Sequence, residues 1–367
     1  MIKNSLTVIV KPTNSCNLAC KYCYADSEDD QPVMDDNTLE NTITKIVKQQ
    51  GKETVINFLW HGGEPLLMGL DFYTKVVEIE KELRDEGYAI KNSMQTNGTL
   101  LTEKTLDFLL SEKFNIGVSL DGPKEINDLT RVYPDGSSSF NQTISALHLL
   151  KEKRGSAGVV AVINSTNVHQ IDKLYDFFQR EGISFKPNPL LNMGRAGNNN
   201  YLEITPGEYA TSMLQIFNNT LMDSEQSVNI PILNDTMNEL LFNNSYSCNH
   251  SVNCQENFIA INASGDVFPC GRFDHNNLEF KYGNINTDTF EEILQHPMRQ
   301  KILHERRDLE ECQPCDYKSL CNSGCMHMAL LTTGDIFQKD GHCNEYIQLY
   351  SSIRERLISE LAEAIIE

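Results

Sequence analysis

From Leu6 to Pro187, short β-branched apolar runs alternate with segments that repeat apolar residues at helical spacing, and this alternation constrains the fold more than any other feature. Leu6 to Val10, Val55 to Trp60, Ile90 to Thr96, Ile116 to Leu120, Val159 to Ile163 and Ile183 to Pro187 read as strands. Between them Asp35-Asp36-Asn37-Thr38 caps a helix through Leu39, Ile43, Ile46 and Val47. Phe72 to Leu83, Thr102 to Ser111, Phe140 to Leu150 and Ile171 to Phe178 read as further amphipathic helices. Strands alternating with helices predict a parallel sheet, since each return to the same strand direction needs a crossover. The expected fold class is α/β, with the chemistry at the carboxyl ends of the strands.

From Pro206 the pattern turns helical, and eight of the eleven cysteines follow it, from Cys248 to Cys343. The expected division is a barrel-sized domain over 1–205, connecting helices over 206–245, a cysteine-rich domain over 246–345 and a terminal helix over 346–367. The net charge of -20 argues against a nucleic-acid partner, which would need a basic face. There is no 18-residue apolar run and no basic-then-apolar leader, so no membrane partner and a cytoplasmic location are expected. In a reducing compartment the cysteines read as metal ligands and not as disulfides.

Cys16, Cys20 and Cys23 share one short loop after the first strand, with Tyr22 among them. Three thiolates on a four-iron cube leave one iron without a protein ligand. A zinc loop or three buried cysteines are the alternatives that spacing leaves open. Gly62-Gly63-Glu64-Pro65 ends the second strand, where paired glycines allow close backbone approach and Glu64 offers a carboxylate to a cation. Gln95-Thr96-Asn97-Gly98 and Ser119-Leu120-Asp121-Gly122-Pro123 end the third and fourth strands, and Asp135 to Ser139 reads as a flexible loop. His61 reads as a packed histidine, and Asn188 to Asn200, with Arg195, as a long loop without an assigned role. Phe258 to Phe268 reads as a hairpin with Cys254 and Cys270 near its ends. Cys312, Cys315, Cys321, Cys325 and Cys343 form a dense ligand group that suits zinc and iron-sulfur equally by spacing.

The Cys-x3-Cys-x-Tyr-Cys loop resembles the cluster loop of the radical S-adenosyl-L-methionine (SAM) enzymes. Gln95 to Gly98, Ser119 to Pro123 and the spacing Cys254-x10-Gly265-x4-Cys270, Cys312-x2-Cys315-x5-Cys321-x3-Cys325, Cys343 resemble the members with a SPASM domain, and Cys248 adds an eighth thiol. The resemblance implies a partial (β/α)6 TIM barrel and three [4Fe-4S] clusters, which account for all eleven cysteines. Cys16, Cys20 and Cys23 would hold the cube that binds SAM. Cys248, Cys254, Cys270 and Cys325 would hold one auxiliary cube, and Cys312, Cys315, Cys321 and Cys343 the other. It further implies SAM contacts from Tyr22, Gly62, Gly63, Glu64 and Asn97, with Ser119 and Arg131 on the SAM carboxylate.

The implied reaction is hydrogen abstraction from a peptide or protein by a 5'-deoxyadenosyl radical, with a donor such as flavodoxin or ferredoxin supplying the electron. Sulfatase maturases oxidise Cys or Ser to formylglycine, and there an aspartate thought to act as base follows the hairpin cysteine. Here that position is Gly271, and Asp274 or His275 are the substitutes available. Cys270-Gly271-Arg272-Phe273 and Trp60 to Pro65 look more like the maturases that crosslink side chains in ribosomal peptides, which is the expected activity, with formylglycine formation as the alternative. Many such maturases carry an N-terminal peptide-binding domain, whereas this chain enters its first strand at Leu6. Leader recognition is therefore expected in the barrel mouth or in a separate protein. A zinc-rich binding module on a barrel is the non-enzymatic alternative.

Overall fold

The computed structural model describes residues 4–25, 32–223, 228–243, 248–251, 254–273, 275–306 and 309–366. The chain forms two compact units, one from 1–120, 131–157 and 255–304, the other from 121–130, 158–254 and 305–367.

In the first unit β1 (Asn4–Val10), β2 (Thr54–Trp60), β3 (Ala89–Thr96) and β4 (Asn115–Ser119) pair in parallel, β1 with β2, β2 with β3 and β3 with β4. The crossovers are α1 (Asp36–Gln50), α2 (Gly69–Asp85) and α3 (Glu103–Ser111), and α4 (Phe140–Arg154) follows β4 in the same unit. Asp35 caps α1 by accepting from Thr38 N at 2.7 Å, as the sequence predicts. The loop over Asp135 to Ser139 is an ordered turn, with Tyr133 N donating to Ser137 O at 2.9 Å and a bridge between Val132 and Ser138.

The other edge of β1 is filled from far along the chain. The strand Phe258–Ile261 pairs with β1 in parallel, and the strand Asp266–Phe268 pairs back on it antiparallel. The cysteine-rich hairpin thus extends the barrel sheet, and β1 gains a neighbour on both edges. Trp60 is wholly buried at the end of β2, with Phe72 and Tyr73 edge-on at 5.8 and 5.7 Å.

In the second unit the strands Gly158–Ile163 and Ser184–Pro189 pair in parallel, joined by the helix Ile171–Glu181. The helices Glu208–Met222, Pro231–Phe242 and Cys343–Ile366 belong to this unit. Among the described residues no helix is long and apolar enough to cross a membrane.

Candidate active site

The carboxyl ends of β1, β2 and β3 meet in one hydrogen-bonded assembly. The segment after β2 runs beside the segment after β1: His61 N donates to Val10 O at 2.8 Å, Gly63 N to Thr13 O at 3.0 Å and Glu64 N to Ser15 O at 2.9 Å. A Cβ on Gly62 would lie 2.3 Å from Thr13 O, and one on Gly63 2.2 Å from Ser15 O. The close approach these glycines permit is therefore to the backbone that leads into Cys16.

Glu64 is fully buried, and its carboxylate accepts from Leu66 N at 3.0 Å, Thr96 Oγ1 at 2.7 Å and Asn97 N at 2.7 Å. Burial pushes its pKa up, and these donors together with the Arg131 charge oppose that shift. Glu64 thus fastens the turn after β2 to the turn after β3. Asn97 in turn donates Nδ2 to Asn17 Oδ1 at 2.9 Å and toward Cys16 Sγ at 3.8 Å. Asn17 Nδ2 reaches Thr99 Oγ1 at 2.8 Å. Asn17 and Thr96 were not singled out from the sequence, although both lie inside motifs that were.

Cys20 is buried, and Cys16 and Cys23 are half-buried. The loop turns with Cys23 N donating to Cys20 O at 3.2 Å, and Leu18 N donates to Cys16 Sγ at 3.4 Å. Burial is the largest cause of a raised Cys16 pKa, with Glu64 and Cys23 adding to it and the Leu18 N–H and Arg131 opposing it. A thiol so placed ionises poorly unless a cation meets it. Arg131 is buried beside this group, its Nη1 donating to Tyr22 OH at 2.7 Å and its carbonyl accepting from Ser139 Oγ at 2.7 Å. Ser119 ends β4, and its Oγ accepts from Gln95 Nε2 at 2.9 Å. His61 accepts from Gly62 N at 2.7 Å through Nδ1, and burial, then the Lys11 charge, lower its pKa to about 4. It is neutral near pH 7.

In the second unit Cys312, Cys315, Cys321 and Cys343 line one cavity of about 130 Å³, with Tyr350 and Asp340 also on its wall. Burial and then Asp340 raise the Cys321 pKa, and burial likewise raises that of Cys343. Asp340 stays below the usual carboxylate range despite its burial, because His342 and the Cys325 N–H donate to it. Among the described residues no three His, Cys, Asp or Glu side chains converge as ligands of a single ion. The four thiols share the wall of this cavity, and four thiolates are a donor set that fits an iron-sulfur cluster. Of the remaining cysteines, Cys270 lies in the first unit and Cys248, Cys254 and Cys325 in the second. Asp274 and the side chain of His275 lie outside the described residues.

Residues 10–178 match the radical SAM superfamily, and residues 248–316 match SPASM, an iron-sulfur cluster-binding domain. A serine-type anaerobic sulfatase-maturating enzyme of Bacteroides thetaiotaomicron is 30% identical over 90% of this chain and 84% of its own length. This chain belongs to the radical SAM family. A cysteine-type anaerobic sulfatase-maturating enzyme of Clostridium perfringens is 27% identical over 96% of this chain and 98% of its own. The structure of native anSMEcpe with bound AdoMet superposes with a TM-score of 0.85 at 25% identity, covering 96% of this chain and 98% of that one. Streptococcus suis SuiB bound to its precursor peptide SuiA shares the fold, with a TM-score of 0.64 at 19% identity over 93% of this chain and 76% of SuiB. The fold is that of a radical SAM α/β protein, a parallel sheet in an unclosed barrel with a SPASM domain. Its cofactors are SAM and [4Fe-4S] clusters.

Proposed function

We propose that this protein abstracts a hydrogen from a residue of a ribosomal precursor peptide and forms a side-chain crosslink. The observation that carries this reading is Gly271. The carboxylate that formylglycine-forming relatives are thought to use as base is missing there. A Cβ grown on Gly271 would lie 3.0 Å from Ile9 Cγ2 and 3.7 Å from Lys11 Cε, so a larger side chain there would press on Ile9. Oxidation of Cys or Ser to formylglycine is the second reading, favoured by the sulfatase-maturating relatives that align along nearly the whole chain.

In either reading Cys16, Cys20 and Cys23 hold the cube that binds SAM. When bound and reduced by one electron from a donor such as a flavodoxin or ferredoxin, that cofactor pair supplies a 5'-deoxyadenosyl radical. The chain's own residues aim it. Asn97 donates toward Cys16, Glu64 locks the turns that flank the loop, and Arg131 would bring a buried cation to the SAM carboxylate, with Ser119 at the end of β4. The backbone of the Gly62-Gly63 turn would meet the SAM amine.

Incubation of reconstituted enzyme, SAM and reductant with a peptide encoded beside this gene, or with a sulfatase-derived Cys or Ser peptide, separates the readings by mass spectrometry. Loss of two hydrogens with linked fragment ions supports crosslinking, and conversion of Cys or Ser to an aldehyde replaces it with the second reading. Reduced holoenzyme that releases no 5'-deoxyadenosine refutes both.

A further inference from the structure

The cavity framed by Cys312, Cys315, Cys321 and Cys343 contains a hydroxyl that folding alone does not account for. Ser323 is 2% exposed and lines that cavity, and its Oγ has no hydrogen-bond partner among the described residues. A buried donor without an acceptor is costly, and native chains keep such groups where a ligand or cofactor completes them.

The backbone is also bent to put it there. Asn322, Ser323 and Gly324 have φ of 49°, 70° and 70°, three consecutive residues in the left-handed region that serine rarely enters. Gly324 is required by crowding, since a Cβ on it would lie 2.4 Å from Asp340 Cβ, whereas Ser323 carries a side chain at its positive φ. Strain of this kind persists where surrounding groups over-determine it. Arg306 is the largest of those groups. Its Nη2 donates to Ser323 O at 2.9 Å and its Nη1 to Gln338 O, and Asp340 N donates to the same Ser323 carbonyl at 3.1 Å. Arg306 is 7% exposed, and its Nε is buried without a partner among the described residues. Its charge lies within electrostatic reach of Cys325, Asp340, Cys312 and Cys321.

We infer that Ser323 is the tuning donor of the auxiliary cluster held by Cys312, Cys315, Cys321 and Cys343, and that Arg306 is its positioning residue and countercharge. This rests on the assignment of those thiols to a cluster. Four thiolates give a cluster excess negative charge, and a reducing electron adds more. A hydroxyl donating to sulfur and a buried guanidinium behind it stabilise the reduced form and so raise the reduction potential. Asp340 works in the opposite sense, but its oxygens are occupied by the N–H groups of Cys325 and His342.

The test uses the full chain, reconstituted anaerobically, with iron and sulfide counted and each centre titrated potentiometrically by electron paramagnetic resonance. Ser323→Gly suits the positive φ and removes only the hydroxymethyl group. It is expected to keep wild-type iron and to shift the midpoint of one auxiliary centre to more negative potential, leaving the SAM-site centre unchanged. Arg306→Gln is expected to shift it further, and Arg306→Lys, which keeps the charge, to shift it less than Arg306→Gln. A wild-type midpoint in iron-replete Ser323→Gly overturns the inference, and so does loss of iron from that variant, which would make the hydroxyl structural. Wild-type protein that takes up iron for the SAM-site cube alone refutes the cluster assignment itself, a result distinct from either.

Discussion

Gly62 and Gly63 stand where a methyl group has no room, because Thr13 O and Ser15 O lie only 2.3 and 2.2 Å from the positions their Cβ atoms would take. The obstacles are backbone atoms, which cannot swing aside as a side chain could. Gly63→Ala is therefore expected to lower stability by roughly 1–3 kcal/mol, the usual range for overpacking. It should also lower iron uptake, since the displaced segment leads directly into Cys16. Thermal unfolding and iron content after reconstitution measure both, and wild-type values for each would show that the two loops do not need this contact. The residue types in this turn were readable in the sequence. What Glu64 does was not: a Glu beside paired glycines could face solvent, a ligand or the interior. Only the fold brings Thr96 Oγ1 and Asn97 N to its carboxylate.

At the scale of elements, α2 holds the barrel strands through a buried polar network. Glu80 on α2 accepts from Asn92 Nδ2 on β3 at 2.6 Å and from Arg84 Nη2 at 2.8 Å, and Trp60 Nε1 on β2 donates to Asn92 Oδ1 at 2.8 Å. Burial pushes the Glu80 pKa up to about 7, with Arg84 and Asn92 opposing the rise. Because the folded pKa exceeds the unfolded value of 4.5, the contribution of Glu80 is greatest below pH 4.5 and is lost as pH rises through about 7. Glu80→Gln removes this titration. The variant is expected to lose less stability than wild type between pH 5 and pH 8, by roughly 1–3 kcal/mol, in urea unfolding of the apo protein. Parallel slopes for the two proteins would show that Glu80 is already ionised in the folded state. The same helix steadies the active site, since Tyr73 OH donates to Pro65 O at 2.8 Å. The alternation of strands and helices was legible because a period of two and a period of 3.6 leave different marks on the order of apolar residues. The hairpin's place beside β1 left no such mark, since strand pairing between residues 7–10 and 258–261 depends on register and not on local pattern.

For the whole molecule, the thiols couple cofactor loading to stability. Cys16, Cys321 and Cys343 are all raised, with burial as the first cause in each. Above about pH 9 the unfolded apo chain ionises these thiols before the folded one does, so apo stability should fall as pH rises from about 9 to 10. Metal-bound thiolates are already deprotonated, so the reconstituted protein should show a smaller fall. Thermal scans of both forms test this, with about 12 irons per chain expected in the loaded form. Equal alkaline losses in the two forms would mean that these thiols are not ligands.

By itself the sequence determined the strand-helix order, the placement of motifs at strand ends and the cysteine spacing, because these depend on residues close together in the chain. Tertiary structure alone decided which backbone the paired glycines approach, where the Glu64 carboxylate points, and that four thiols between Cys312 and Cys343 enclose a cavity with Ser323 on its wall. Each of these is a meeting of atoms distant in sequence or a choice of side-chain direction. Neither leaves a periodic signal in the order of residues, since it is packing that brings those atoms together.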